Sequence, residues 1–493
     1  MSSSFNIKVF HATKWSSITE IIAKLFSPIS TMILARLLTP NMFGTIATIT
    51  MVIAFAEIFT DAGFQKYLIQ HEFKTKKDLF ESTNVAFLTN LFLSIILWSI
   101  IIVFRDSIAK ICGNDKLGTS IAIACVCIPL GAFSSIQMAI YKRDFDFKTL
   151  FTIRLVSLIV PLFITIPFAI AFKNYWALII GTITLKLVNA IYSTIKSKWK
   201  PKLQYNIKLL KQMLSFTFWT ILESVSIWLS SYIGILIVSL KLNDYYLGLY
   251  QTSMTLVVQI LSIVTMAVTP VLFSTLSRLQ NDNSEFNRMF LLFQSIVALI
   301  VLPLGVGLFS YRRFVTSVFL GGQWDEAAGF IGLFGLCIAF TIVYSHLCSE
   351  VFRAKGRPKL SLLLQFSFLL FFIPSIAIAV NYGFKALYII HSISQLVMII
   401  VSSVLISWFF NISLFDMLRG TFVKIIVSGL MFLLSMALSQ ISSSVVWNIL
   451  SIGVCILFYF GVLFSIKRER DSLFRLKEVF EKVFFKTNIN QTY

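Results

Sequence analysis

Long apolar runs alternate with short polar breaks from residue 15 to residue 466. Each run is close to the ~20 residues that an α-helix needs to cross a bilayer. In chain order they predict about fourteen helices: 15–35, 43–61, 82–104, 119–140, 150–172, 175–195, 213–240, 246–273, 287–309, 328–351, 360–380, 384–408, 420–439 and 444–466. The period-2 alternation of a β-barrel is not visible, and no loop is long enough to hold a soluble domain. The predicted fold class is all-α, a polytopic membrane protein.

Residues 31–70 hold the most informative break. The run ending at Leu34–Ala35 gives way to ARLLTPNMFG, and a second run then continues to Glu57 and Asp61. Pro40 cannot continue a helix, and Gly44 permits a close approach, so this reads as a transmembrane hairpin with a very short turn. A similar pattern returns at residues 233–259, where a turn at Asn243–Asp244 precedes Gly248, 204 residues after Gly44. The recurrence predicts two pseudo-symmetric six-helix lobes, 1–209 and 210–418, followed by two additional helices (419–466) and a basic tail (467–493).

The motif R-x-L-x-P-x-x-F-G, here Arg36, Leu38, Pro40, Phe43 and Gly44, resembles that of Wzx-type polysaccharide flippases. These belong to the multidrug/oligosaccharidyl-lipid/polysaccharide exporter superfamily. The loops KRDFDFKTL (142–150) and AKGRPKL (354–360) lie where that family has similar ones. The resemblance implies translocation of undecaprenyl-diphosphate-linked oligosaccharide across a bacterial inner membrane by alternating access. The product would serve O-antigen, capsule or exopolysaccharide synthesis. The implied partners are the lipid-linked oligosaccharide, membrane lipids, and the polysaccharide polymerase and chain-length machinery. A lipid II flippase and a cation-coupled multidrug exporter are the alternatives within the superfamily.

Composition agrees with membrane residence. Hydrophobic residues are 57% of the 493 and charged residues 13%, against about 25% charged in a soluble protein. The net charge of +20 would favour nucleic acid in a soluble chain. Here it follows the positive-inside rule, and no nucleic-acid partner is expected. With the N-terminus in the cytoplasm, inner segments hold Lys66, Lys74, Lys76, Lys77, Lys142, Arg143, Lys148, Arg353, Lys355, Arg357 and Lys359, among others, and outer loops hold far fewer. Both termini then lie in the cytoplasm. The start of the chain shows no cleavable signal pattern. Residues 467–486 read as an amphipathic helix on the inner leaflet, and residues 63–80 as a second surface segment.

The chain contains no G-x-x-x-x-G-K-[ST], HExxH or GxSxG motif, so no ATP site, cofactor or metal site is expected. An integral-membrane polymerase or ligase would need a large outer loop with catalytic Arg or His. The longest one here is about 310–327, so no enzyme is expected. The six cysteines show no disulfide framework.

Ionisable groups inside membrane helices are costly and mark candidate sites. Lys24, Arg36, Arg154 and Lys186 are the candidate substrate-binding cations. A diphosphate needs cations to offset its lost hydration. Arg36 sits at the outer mouth and fits an exit or gate position; in the family, basic residues facing a central cavity are thought to meet that group, and the resemblance implies this for Arg36 through the motif. Glu57, Asp61, Glu223 and Glu350 are candidates for proton or sodium coupling, since burial raises a carboxylate's proton affinity. Lys24, Lys186 and Glu223 also fit an interhelical ion pair. Asp61 and Arg154 lie close enough to helix ends to snorkel into water. Prolines 129, 161, 167, 270, 303 and 374 fall within predicted helices, where kinks are expected.

Overall fold

The computed structural model describes residues 15, 19, 22–24, 26–197, 199–203, 205–467 and 469–470, apart from the side chains of Asp61, Ala62, residues 215–219, Glu223, Ala267 and Pro358. Every regular element among them is helical. The chain is an all-α, polytopic membrane protein. Among the described residues, twelve segments are long and apolar enough to cross a bilayer, and one of them, Lys359–Phe410, takes in two successive helices. Of the predicted first span, six residues lie outside the described set, and its described end is the helix 26–37. The predicted tail helix lies outside the set almost entirely.

The chain forms two compact units. The first comprises Met1–Thr252, Phe319–Trp324 and Ile376–Phe384, and the second Ser253–Val318, Asp325–Ser375 and Lys385–Tyr493. In the first unit, α1 (26–37) turns through only residues 38–39 into α2 (Pro40–Gln70). Pro40 is thus the first residue of α2. It supplies a pre-set φ where its missing N–H is not needed. Then follow α3 (Lys76–Val103), α4 (Arg105–Ile111), α5 (Gly118–Ala124), α6 (Cys127–Arg143), α7 (Phe147–Phe172), α8 (Trp176–Lys196), α9 (Ile207–Lys241) and the start of α10 (Asp244–Arg278), whose residues from Ser253 on belong to the second unit. The predicted helix 119–140 is therefore two helices. Pro129 falls in the first turn of α6, just after the break at Cys125–Val126, so it kinks no helix interior. The predicted surface segment 63–80 is also different. It is the end of α2 and the start of α3, and Phe64, Tyr67 and Leu68 are buried against Phe87, Ile136 and Trp199.

Two close contacts organise one end of this unit. A Cβ on Gly44 would stand 1.8 Å from the Asp244 carbonyl oxygen, and a Cβ on Gly248 would stand 1.9 Å from that of Pro40. The two glycines that signalled a repeat therefore pack reciprocally, each against the other's helix start. Asp244 accepts hydrogen bonds from Asn114 Nδ2 at 2.7 Å and Thr45 Oγ1 at 3.3 Å. Asn114 reaches it because Gly113, at φ 83°, lies against the Ser239 carbonyl, closer than a side chain would allow. Nearby, Gln323 Nε2 donates to the carbonyls of Ala35 and Leu38, both at 2.8 Å, and Trp324 Nε1 donates to Ala35 at 2.8 Å. These bonds satisfy the open carbonyls at the end of α1.

In the second unit, α11 (Asn283–Ser310) packs on α13 (Ala327–Thr341) and on α17 (Leu414–Ser439). The other elements are α12 (Arg312–Phe319), α14 (Leu347–Ala354), α15 (Pro358–Ala379), α16 (Gly383–Phe410) and α18 (Val445–Ser465). The buried Tyr459 of α18 donates its hydroxyl to the Leu299 carbonyl of α11 at 3.0 Å. A π-turn, Ile342–His346, separates α13 from α14.

A staple recurs in each unit. Arg143, ending α6, donates to the carbonyls of Leu68 and His71 at 2.7 Å and lies over the Phe73 ring at 4.8 Å. Lys355, just past α14, donates to the Gln280 carbonyl at 2.6 Å and lies over the Phe286 ring at 4.3 Å. A cation after the fourth span of each half thus closes the turn between the second and third, as the C-terminal end of a helix favours. Burial pulls the Lys355 pKa below its ordinary value, and nearby Asp282 opposes that.

Candidate functional site

The first unit brings two of the predicted residues together. Lys186, midway along α8, forms an ion pair with Glu57 of α2. The carboxylate and ammonium side chains are 28% and 25% exposed. Gly131 of α6 lies against them: a Cβ there would stand 3.5 Å from Glu57 Oε1 and 3.9 Å from Lys186 Nζ, in ordinary contact. Three helices thus converge on one charged pair. Charges inside a span would cost several kcal/mol against hydrocarbon, so such groups ordinarily face a bundle interior or a water-filled cavity.

Beside the pair lies an open cavity of about 380 Å³ lined by Glu57, Ile58, Gln65, Lys66, Ile69, Lys142 and Ser224. That volume lies within the range of about 300–1,000 Å³ of small-molecule sites. Its lining offers two ammonium groups, an amide and a hydroxyl, with Glu57 neutralised by Lys186. Such a set suits an anion whose charge would otherwise lose its hydration. The staple at Arg143 fixes the last turn of α2, and Gln65 and Lys66 lie in the turn just before it. The Asp146 side chain caps α7 through the Thr149 N–H at 3.1 Å, closing the turn after Lys142.

The other predicted residues are dispersed. Arg36 is exposed at the end of α1, next to Gly321. Arg154 is exposed on α7 and does not line the cavity. Lys24 is half-buried on the first helix. The Asp61 and Glu223 side chains lie outside the described set. Glu350 is buried in the second unit and paired with Arg353 of its own helix at 2.8 Å. Gln65, Lys66, Lys142 and Ser224 had no place in the predicted site. Lys66 and Lys142 served there only as markers of orientation. Lys66 does share a helical stripe with Phe55, Phe59 and Ala62, and that spacing could have placed it in α2.

A model of the polysaccharide biosynthesis protein family matches residues 33–329, more than half of the chain. The chain belongs to this family. This polysaccharide biosynthesis protein is 23% identical to the lipopolysaccharide biosynthesis protein WzxC of Escherichia coli (strain K12), over 80% of its own length and 81% of the relative's. It is 21% identical to the teichuronic acid biosynthesis protein TuaB of Bacillus subtilis (strain 168), over 76% and 77% of the two chains. Among solved structures, the lipid II flippase MurJ in its inward closed conformation aligns with a TM-score of 0.76. That alignment covers 93% of this chain and 99% of the other at 16% identity, so it shows a shared fold.

Proposed function

We propose that this protein carries a lipid-linked oligosaccharide bearing a diphosphate, of the undecaprenyl type, from the inner to the outer leaflet of a bacterial inner membrane. The glycan would feed surface polysaccharide synthesis. The observation that carries this reading is the open cavity with Lys66 and Lys142 beside the Glu57–Lys186 pair, inside a member of a polysaccharide biosynthesis family. The lysines hold the diphosphate by charge, and the lipid tail stays in the bilayer. The predicted lobes, 1–209 and 210–418, rock about the site, and both termini stay in the cytoplasm. No step makes or breaks a covalent bond, so the protein is not an enzyme. The released product passes to a polymerase and its chain-length machinery.

The substrate cations are Lys66, Lys142 and Lys186, joined along the path by Lys24, Arg36 and Arg154. Glu57 is the coupling carboxylate best placed to act, because loss of its proton and return of the Lys186 contact occur at one point. Asp61, Glu223 and Glu350 remain further candidates for coupling.

The test uses cells lacking the protein. A diphosphate-linked oligosaccharide should accumulate on the cytoplasmic face, with loss of surface polysaccharide. Normal surface polysaccharide would overturn the reading. In complemented cells, Lys142→Gln should lower surface polysaccharide by about tenfold, the effect of losing one interaction of about 1.4 kcal/mol. Glu57→Gln and Lys186→Met should leave the melting temperature nearly unchanged, because a part-exposed pair contributes about 0–1 kcal/mol. Both should impair export. The exchange Glu57→Lys with Lys186→Glu separates the roles: full recovery of export would reduce the pair to a structural one.

A further inference from the structure

Next to the basic cavity, α2 and α9 carry four aromatic rings in a row. Phe55 stands 5.4 Å from Phe59 and 4.9 Å from Trp228, and Trp228 stacks on Tyr232 at 5.8 Å with 23° between the planes. The row is continuous with the cavity on both helices. On α2, Phe55, Phe59 and Lys66 share one stripe at helical spacing. On α9, Ser224 lines the cavity, and Trp228 and Tyr232 follow at i+4 and i+8. The line from Ser224 to Tyr232 rises about 12 Å at 1.5 Å per residue.

The rings are fixed but not buried away. Trp228 Nε1 donates to the Met51 carbonyl at 3.2 Å, which satisfies its one polar atom and sets the indole plane. Phe55 is 42% exposed and Phe59 36%. The surroundings mix hydroxyl and apolar side chains. Residues 224–232 of α9 read SVSIWLSSY, with Ser226, Ile227 and Ser231 exposed and Ser230 half-buried. Apart from Gly461 and Ser465, the exposed positions of α18 are instead all apolar, among them Val445, Ile449, Leu457 and Phe464. Each of the three serines donates to the carbonyl four residues back, so its oxygen keeps lone pairs for an outside donor.

We infer that Phe55, Phe59, Trp228 and Tyr232 form a stacking platform for the sugar rings of the glycan, continuous with the basic cavity. A sugar ring has apolar C–H faces and a rim of hydroxyls. Fixed aromatic faces with hydroxyl acceptors beside them complement both. The anionic group and the glycan are then held by adjoining parts of one surface on α2 and α9. This rests on the flippase reading above and adds to it where the glycan lies.

The test is equilibrium binding to the full-length protein in detergent, with two radiolabelled probes. One is undecaprenyl diphosphate. The other is the lipid-linked oligosaccharide extracted from cells that lack the protein. The wild type should bind the second about tenfold more tightly, a difference of about 1.4 kcal/mol. Trp228→Leu should abolish that difference and leave undecaprenyl diphosphate binding unchanged. Trp228→Phe, which keeps a ring, should retain most of it. Lys142→Gln should weaken both probes alike. The platform is overturned if Trp228→Leu keeps the preference, weakens both probes equally, or if the wild type shows no preference. If neither probe binds the wild type, the flippase reading falls and the platform with it.

Discussion

Gly44→Ala is expected to lower the apparent melting temperature by several degrees, and Gly248→Ala to do the same. The added methyl of the first would lie 1.8 Å from the Asp244 carbonyl oxygen, and that of the second 1.9 Å from the Pro40 carbonyl oxygen. Both obstacles are backbone, so no side chain can rotate away. The starts of α2 and α10 must separate instead. That movement draws Thr45 and Asn114 away from the Asp244 carboxylate, which accepts from both. Overpacking of this kind costs about 1–3 kcal/mol and sometimes more. Gly429 of α17 and Gly453 of α18 supply the control, because a Cβ at either meets no atom within 4 Å. Alanine at those positions should be neutral or slightly stabilising, since it favours helix over glycine by up to about 1 kcal/mol. Thermal unfolding of the four variants in one detergent decides the matter. If Gly44→Ala melts like Gly429→Ala, the contact is not what holds α2 and α10 together.

The same glycines show what could be read from the sequence. Period and length placed the helices, because a membrane span leaves a long, uninterrupted apolar signal. Pro40 and Gly44 marked the hairpin turn, and Gly248 marked its echo, because each is a local backbone requirement. Their mutual contact was not legible: it lies across 204 positions, and nothing in the local pattern points there. The same holds for the site. Lys186 and Glu57 stood out singly as charges among apolar neighbours, yet no spacing rule pairs residues on α2 and α8. Lys66 and Lys142 escaped for the opposite reason. At the ends of spans, a lysine is the ordinary outcome of the positive-inside rule, and only the cavity distinguishes these two from their neighbours. Trp228 and Tyr232 were invisible among the 15% aromatic residues until the rings of α2 lay beside them.

Lys424 was missed altogether, and its removal carries the other large expected effect. It sits within α17 at 0% exposure, and Nζ donates to Glu469 Oε2 at 2.5 Å, itself 2% exposed. Close to the start of a predicted span, a lysine is expected to snorkel to water. Here Glu469, well past the end of α18, meets it inside the protein instead. Lys424→Ala should cost about 3–5 kcal/mol, because it leaves a buried carboxylate without its partner. Glu469→Ala should cost about as much for the mirror reason. Both should be far worse than Glu57→Gln, since the Glu57–Lys186 pair is part-exposed. The pair itself adds less than these losses imply. Taking two charges out of water offsets most of their attraction, so Lys424→Met with Glu469→Leu should melt within a few degrees of the wild type. A double-mutant cycle on thermal midpoints would then show strong coupling. A double variant as unstable as either single one would mean that the lost stability lies in the packing around Lys424 and not in an uncompensated charge.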